Sequence, residues 1–403
     1  MPDLLPVGAA VHDDPEALPG HFVPLEFPGQ SPAPLARFED ALADLELEAR
    51  EEPVRIAVYG ASGVAADRWT GYVRAYLQTR FGDGGPGIVP AAAPHNWSRH
   101  QEIRFERSKN WTKHNAFRLG ELAPTDHFGI MGQAMSADAE GAWTELEPDP
   151  KSPSAKQLAF YELHYLVQPE GGTLAALVDG QPVAEISTAG QQVELGRERI
   201  DLRRGRAHSL RLELSGDGPV RLLGVVAETG EPGVVLDTLG VNGAKTEDQA
   251  RWDLELWTEH LQTRTPDLYI LAYGNNEAVD EDVPIRDYEA GYRAVLERFQ
   301  ATAPEAGCVM IGPTDYPIVE AGEVIPRPRL AEIREVQREL SSAYGCAFLD
   351  ARAIVGGEGA IAQWVEAGLA REDHLHMKRP GYIRYGMAIG DALMQHYDLR
   401  ARG

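Results

Sequence analysis

The sequence predicts a three-layer α/β/α domain on a five-stranded parallel sheet, flavodoxin-like in type, with an antiparallel, jelly-roll-like β-sandwich inserted into it. Two observations predict the parallel sheet and one the insertion. Short apolar runs alternate with amphipathic helical stretches in the first hundred residues, and again after Gly233. Such alternation marks a parallel sheet covered on both faces. From about Asn96 to Ala227 the helical period fades, and short β-type runs stand between turn signals, the pattern of a sandwich.

The expected boundaries are an extended tail over 1–34, a first α/β segment over 35–95, the sandwich over 96–232 and a second α/β segment over 233–403. The tail is rich in Pro and Gly and shows neither a basic n-region nor an apolar h-region. The expected location is therefore the cytoplasm, or the periplasm or exterior if a leader was trimmed. Leu35, Phe38, Leu42, Leu45 and Leu47 mark the stripe of a helix to about Glu51. Val54 to Tyr59 reads as a buried strand ending at Gly60. A helix is expected from about Ala65 to Phe81, stopped by the Gly-rich loop from Gly82 to Gly87.

Within the insertion, the runs Glu102 to Phe105, Leu158 to Val167, Leu174 to Val178, Val193 to Leu195, Ser209 to Leu214 and Val220 to Val226 read as strands. Asp179-Gly180 and Gly216-Asp217-Gly218 supply turns. After Gly233, strands are expected at Val234 to Leu239, Leu268 to Tyr273, Cys308 to Ile311 and Cys346 to Leu349. Helices are expected from a Thr246/Gln249 capping box to about Thr263, then over Tyr288 to Ala301, Arg329 to Tyr344 and Pro380 to about His396.

The chain has 403 residues and a net charge of −24. That excess of carboxylates opposes nucleic acid and anionic lipid as partners. No run approaches the roughly 18 apolar residues of a membrane span. Oligomeric state is not legible. The two cysteines, Cys308 and Cys346, are expected as buried thiols; a disulfide would need their strands to be neighbours.

In an open parallel sheet the reacting groups collect beyond the carboxyl ends of the strands. The first strand exits into Gly60-Ala61-Ser62-Gly63, the second into Asn242-Gly243-Ala244, the third into Gly274-Asn275-Asn276-Glu277. Asp373-His374-Leu375-His376 stands ahead of the last helix. This is the inventory of an acyl-transfer site. A serine hydroxyl needs a base, imidazole serves near neutral pH, and a carboxylate fixes its tautomer. Ser62 is the candidate nucleophile, His376 the base and Asp373 its orienter. His374 is disfavoured because it adjoins Asp373 directly. The Ser62 and Gly243 N–H groups and the Asn276 amide are the candidate oxyanion donors.

The Gly-x-Ser-x-Gly elbow is broken by Val64. The 82–87 loop lacks the Lys and Ser/Thr of a phosphate loop. His374 and His376 lack an evident third metal ligand.

These ordered blocks resemble the SGNH/GDSL hydrolase superfamily over about 55–95 and 234–396. They look most like bacterial members with a β-sandwich inserted after the first block, such as peptidoglycan O-acetylesterases. The stretches 237–244 and Gly356-Gly357-Glu358-Gly359 share that look. The resemblance implies a carbohydrate ester substrate, usually acetylated, and no cofactor. It matches Ser62, Gly243, Asn276, Asp373 and His376 to the family's functional positions. Ala61 stands where the family usually has Asp, so the carboxylate that normally braces the nucleophile loop is missing. Glu277 replaces the commoner Asp after the oxyanion Asn.

Three readings remain open at this point. One is hydrolysis of small O-acyl esters through an acyl-serine. Another is transfer of the acyl group to a sugar hydroxyl. The last is a catalytically dead glycan-binding protein, in which Trp97, Trp111 and Trp143 would stack on sugar rings.

Overall fold

The computed structural model describes residues 22–27, 34–95, 98–116 and 127–401. Trp97 and most of the N-terminal tail lie outside them. Five strands form the parallel sheet: β1 (Val54–Gly60), β2 (Val234–Gly240), β3 (Leu268–Ala272), β4 (Gly307–Ile311) and β5 (Ala347–Leu349). Their spatial order is β2-β1-β3-β4-β5, the doubly wound order of flavodoxin-like folds. The direction of winding reverses between β1 and β3, and such a switch point opens a crevice above the sheet.

Alternation along each strand splits the core in two. Ile56, Val58, Leu236, Ile270 and Val309 pack against α1 (Ala36–Glu46), α2 (Trp69–Phe81) and α6 (Arg379–Ala401). Tyr59, Leu239, Tyr269, Leu271 and Met310 pack on the other face against α3 (Leu254–Arg264), α4 (Ile285–Thr302) and α5 (Pro328–Tyr344). Beyond β5 the tail segment contributes an isolated bridge, Glu26 to Phe348, which covers the sheet's edge there.

Two expected helices are interrupted. The stretch from Ala65 is a single turn, Ser62–Ala65, followed by a break before α2. Asp67 takes a left-handed φ of 45° there, and its carboxylate accepts from Thr70 Oγ1. Likewise the helix from Thr246 is one turn, Thr246–Gln249, and α3 starts afresh where Asp253 caps Leu256 N–H. Thr246 is not the cap. Asp248 receives Lys245 N–H instead, and Thr246 bonds Glu277.

The insertion is a sandwich of two antiparallel sheets. One runs Glu194–Asp201, Phe160–Val167, Val220–Glu228, Gln133–Ala137, Thr112–Asn115, with Gly87–Val89 also paired to Val220–Glu228. The other runs Ile103–Arg107, Trp143–Pro148, Leu210–Leu214, Thr173–Val178, Gln181–Ser187. All nine residues of Val220–Glu228 are buried. Val220, Leu222 and Val225 point into the sandwich core, whereas Leu223 and Val226 join the core of the α/β domain. That is why this run is apolar without alternation.

One expectation changes here. Cys308 and Cys346 are bridged by a disulfide rather than left as thiols. The β4/β5 register pairs Val309 with Ala347, so the residues just before them face each other, with Cα atoms 4.6 Å apart, within bridging range. Two of the three tryptophans considered for sugar stacking lie within the described residues. Trp111 is buried and donates to Trp143 O, and the Arg211 guanidinium lies 4.1 Å from the Trp143 ring centroid.

Candidate active site

The β1/β3 switch point brings the chemistry together. Ser62 opens the one-turn helix at the end of β1, and its Oγ lies 2.9 Å from His376 Nε2. His376 Nδ1 lies 2.9 Å from Asp373 Oδ2. The other Asp373 oxygen accepts the N–H groups of Leu375 and His376. Burial alone would raise the Asp373 pKa. Hydrogen bonds from the His376 N–H, the His376 ring and the Leu375 N–H outweigh it and hold the carboxyl below its ordinary range. His374 turns away: its φ is 53° and its Nδ1 meets Glu372 O at 2.9 Å.

The nucleophile turn rests on β2. A Cβ on Gly240 would stand 2.1 Å from Ala65 N, so only glycine permits this approach. Ser62, Asn276, Thr314, His376 and Tyr382 line one small cleft of about 80 Å³. Gly243 does not line it. It sits at φ 81° in the turn after β2, next to Ala244, whose carbonyl accepts Asn276 Nδ2–H at 2.8 Å. One amide hydrogen of Asn276 thereby fixes the side chain, leaving the second for another acceptor.

Two carboxylates behind the site had no sequence-level assignment. Glu277 is buried and receives Thr246 N–H and Thr246 Oγ1 on one oxygen and Gly274 N–H on the other. It ties the β3 exit, carrying Asn276, to the segment that follows the β2 exit. Burial raises its pKa, and these donors act against the rise.

Asp67 receives five donors: Thr70 Oγ1, Arg74 Nη1, Arg74 Nη2, Thr238 Oγ1 and Gln101 N–H. Burial opposes its charge, yet Arg74 holds its pKa far below the usual carboxylate range. Position 61 offers no carboxylate, and Asp67 fixes the chain five residues after Ser62 instead. The sequence signal was a lone acid inside an otherwise helical stretch.

The sequence pattern of the GDSL-like Lipase/Acylhydrolase family matches residues 212–383. The matched stretch holds Gly243, Asn276, Asp373 and His376 but not Ser62, which the inserted sandwich separates from it. The fold of a parallel α/β sheet with an inserted sandwich recurs in a solved structure. The chain superposes on that structure, described as a peptidoglycan O-acetylesterase in action, with a TM-score of 0.76 at 22% identity, over 93% of this chain and 99% of that one.

A putative GDSL-like lipase from Parabacteroides merdae aligns at a TM-score of 0.30 and 20% identity, over 40% of this chain and 74% of its own. A salicylyl-acyltransferase from a tetracycline biosynthetic pathway aligns at 0.33 and 15%, over 74% and 98%. No curated protein sequence matches this chain. Among the described residues no helix is long and apolar enough to cross a membrane.

Proposed function

We propose that this protein is an ester hydrolase that removes small O-acyl groups, O-acetyl above all, from a carbohydrate through an acyl-Ser62 intermediate. The observation that carries this reading is the continuous Ser62–His376–Asp373 chain, each contact 2.9 Å long. Ser62 Oγ attacks the ester carbonyl carbon while His376 Nε2 takes its proton. The carbonyl π pair moves to oxygen, and the oxyanion meets the Ser62 N–H group and the free Asn276 amide hydrogen, without the Gly243 N–H expected from the sequence, because Gly243 lies outside the cleft. Collapse breaks the bond to the sugar oxygen, which leaves with the proton from His376. Water, deprotonated by His376, then frees the carboxylic acid and restores Ser62.

The size of the cleft supports a short acyl group. Its roughly 80 Å³ is far below the roughly 300–1,000 Å³ of sites that enclose a whole small ligand, so the sugar would lie outside it. The fold shared with a peptidoglycan O-acetylesterase supports a glycan as the carrier. The test is turnover of p-nitrophenyl acetate and of an acetylated oligosaccharide by the protein and by Ser62→Ala. The expected loss in the variant is about 10³-fold or more. Equal rates would remove Ser62 from the reaction.

A further inference from the structure

A second, larger cavity adjoins the proposed acyl cleft. It encloses about 620 Å³ between α2, the start of α6 and the sandwich segments around Ile103 and Ser152, ample for a sugar ring by the scale of small-ligand sites. The wall between the two spaces is one residue thick in sequence. Trp69 faces the acyl cleft and Arg68 the large cavity; on α6, Tyr382 faces the cleft while Arg379 and Ile383 face the cavity. Residues 379 and 382 differ by about 4.5 Å of helix rise, so the two spaces open on the same turn of α6.

The charge at this end of the cavity is unusual for so acidic a chain. Arg68, Arg99 and Arg379 line it, and Arg371 acts electrostatically on Arg68 beside them. None of the four side chains has an ion pair or hydrogen bond among the described residues. The acidic lining is already engaged nearby: Arg74 holds Asp67 and Glu102, and Arg104 holds Asp149. Asp83 lies at the far end, bonded to Gly85 N–H. Burial, followed by the like charges of Arg99, Arg379 and Arg371, pushes the Arg68 pKa down, the mark of cations crowded without a counter-ion. His100 Nε2, buried at the same cavity, makes no hydrogen bond among the described residues and lies 3.7 Å from Asp67 Oδ2.

We infer that Arg68, Arg99 and Arg379 form an anion subsite that holds a carboxylate of the glycan while its O-acyl group enters the cleft at Ser62. The inference rests on the esterase reading above and narrows its substrate to acidic glycans. Guanidinium groups bind carboxylates through paired, charge-assisted hydrogen bonds, and a cavity wall raises their worth above that of an open surface pair.

The test compares O-acetylated tetragalacturonate with its carboxyl-reduced, equally acetylated form, in the wild type and in Arg99→Gln/Arg379→Gln. Both positions are exposed, and a melting curve checks that the variant folds. The expected wild-type kcat/KM favours the acidic ester by about tenfold or more, and the preference shrinks toward unity in the variant through KM. A wild-type preference near unity, or one that survives in the variant, overturns the subsite while leaving the esterase reading intact. If neither ester is turned over, the esterase reading fails. Calorimetric binding of the unacetylated acidic and reduced tetrasaccharides to Ser62→Ala then decides the subsite alone. Equal affinities for the two would end it, and an acidic preference would uphold it.

Discussion

A single oxygen-to-nitrogen contact of 2.9 Å carries the proposed chemistry, and two carboxylates, Asp373 and Asp67, fix the segments on either side of it. Asp373 is half-exposed yet fixed by three donors. Asp373→Asn keeps the shape but offers an amide in place of the carboxylate that orients the ring. The expected outcome is a kcat for p-nitrophenyl acetate lower by about 10²-fold or more. Asp67 differs because it is wholly buried. Asp67→Asn would leave Arg74 with Glu102 as its one remaining carboxylate partner, and breaking a buried pair costs up to about 3–5 kcal/mol. A urea titration should show that loss, together with slower ester turnover, because the segment following Ser62 loses its anchor.

At the scale of elements, the sheet exits are stitched to one another by side chains. Glu277 joins β3 to the segment after β2, and Asn275 exchanges two hydrogen bonds with the main chain of Thr314 beyond β4. The disulfide does the same lower in the sheet, joining Cys308 on β4 to Cys346 just ahead of β5. It closes a loop over a separation of 38 residues, worth about 4 kcal/mol in the chain-entropy account. Thiol labelling of the denatured, unreduced chain should find no reactive cysteine. Reduction should expose both and lower the melting temperature.

Across the whole molecule, the sandwich and the α/β domain share buried parts. Val220–Glu228 contributes to both cores. At its end Glu228 meets Arg264 of α3 and Arg55 of β1, and Arg264 also holds Asp237 of β2. The buried histidines His164 and His260 join the two parts at 2.7 Å. The sandwich and the α/β domain are therefore expected to unfold in one calorimetric transition.

Acid should weaken this join with a definite sign. Burial alone would raise the Glu228 pKa, but Arg264 and Arg55 outweigh it and lower it from 4.5 to about 2. The folded state then keeps the charge over a range in which the unfolded chain takes up a proton. Stability from this group is complete above about pH 4.5 and is lost as pH falls toward 2, by about 3 kcal/mol. A melting series over that window should fall, and Glu228→Gln, already destabilised, should fall less steeply.

Much of the architecture was legible. Apolar runs report local burial, and burial follows the helix and strand periods, so the five parallel strands and the helices over them could be read from the chain. The polar strand Thr112–Asn115 and the exposed edge strand Gln181–Ser187 could not, because a strand that buries little leaves no apolar signature. The helix breaks at Asp67 and Asp253 escaped for a related reason. The side chains that stabilise them draw on Gln101, Arg74 and Thr238 as well as on local groups.

By itself the sequence determined the sheet, its wrapping helices, the presence of an inserted sandwich and the residue types at each strand exit. Tertiary structure alone decided the sheet register that joins Cys308 to Cys346. It also decided the meeting of Ser62 with a histidine 314 positions away and the crowding of unpaired arginines beside them. Periodicity encodes which face of an element is buried. Register and convergence depend on what each face is buried against, and that is settled only when distant segments pack together.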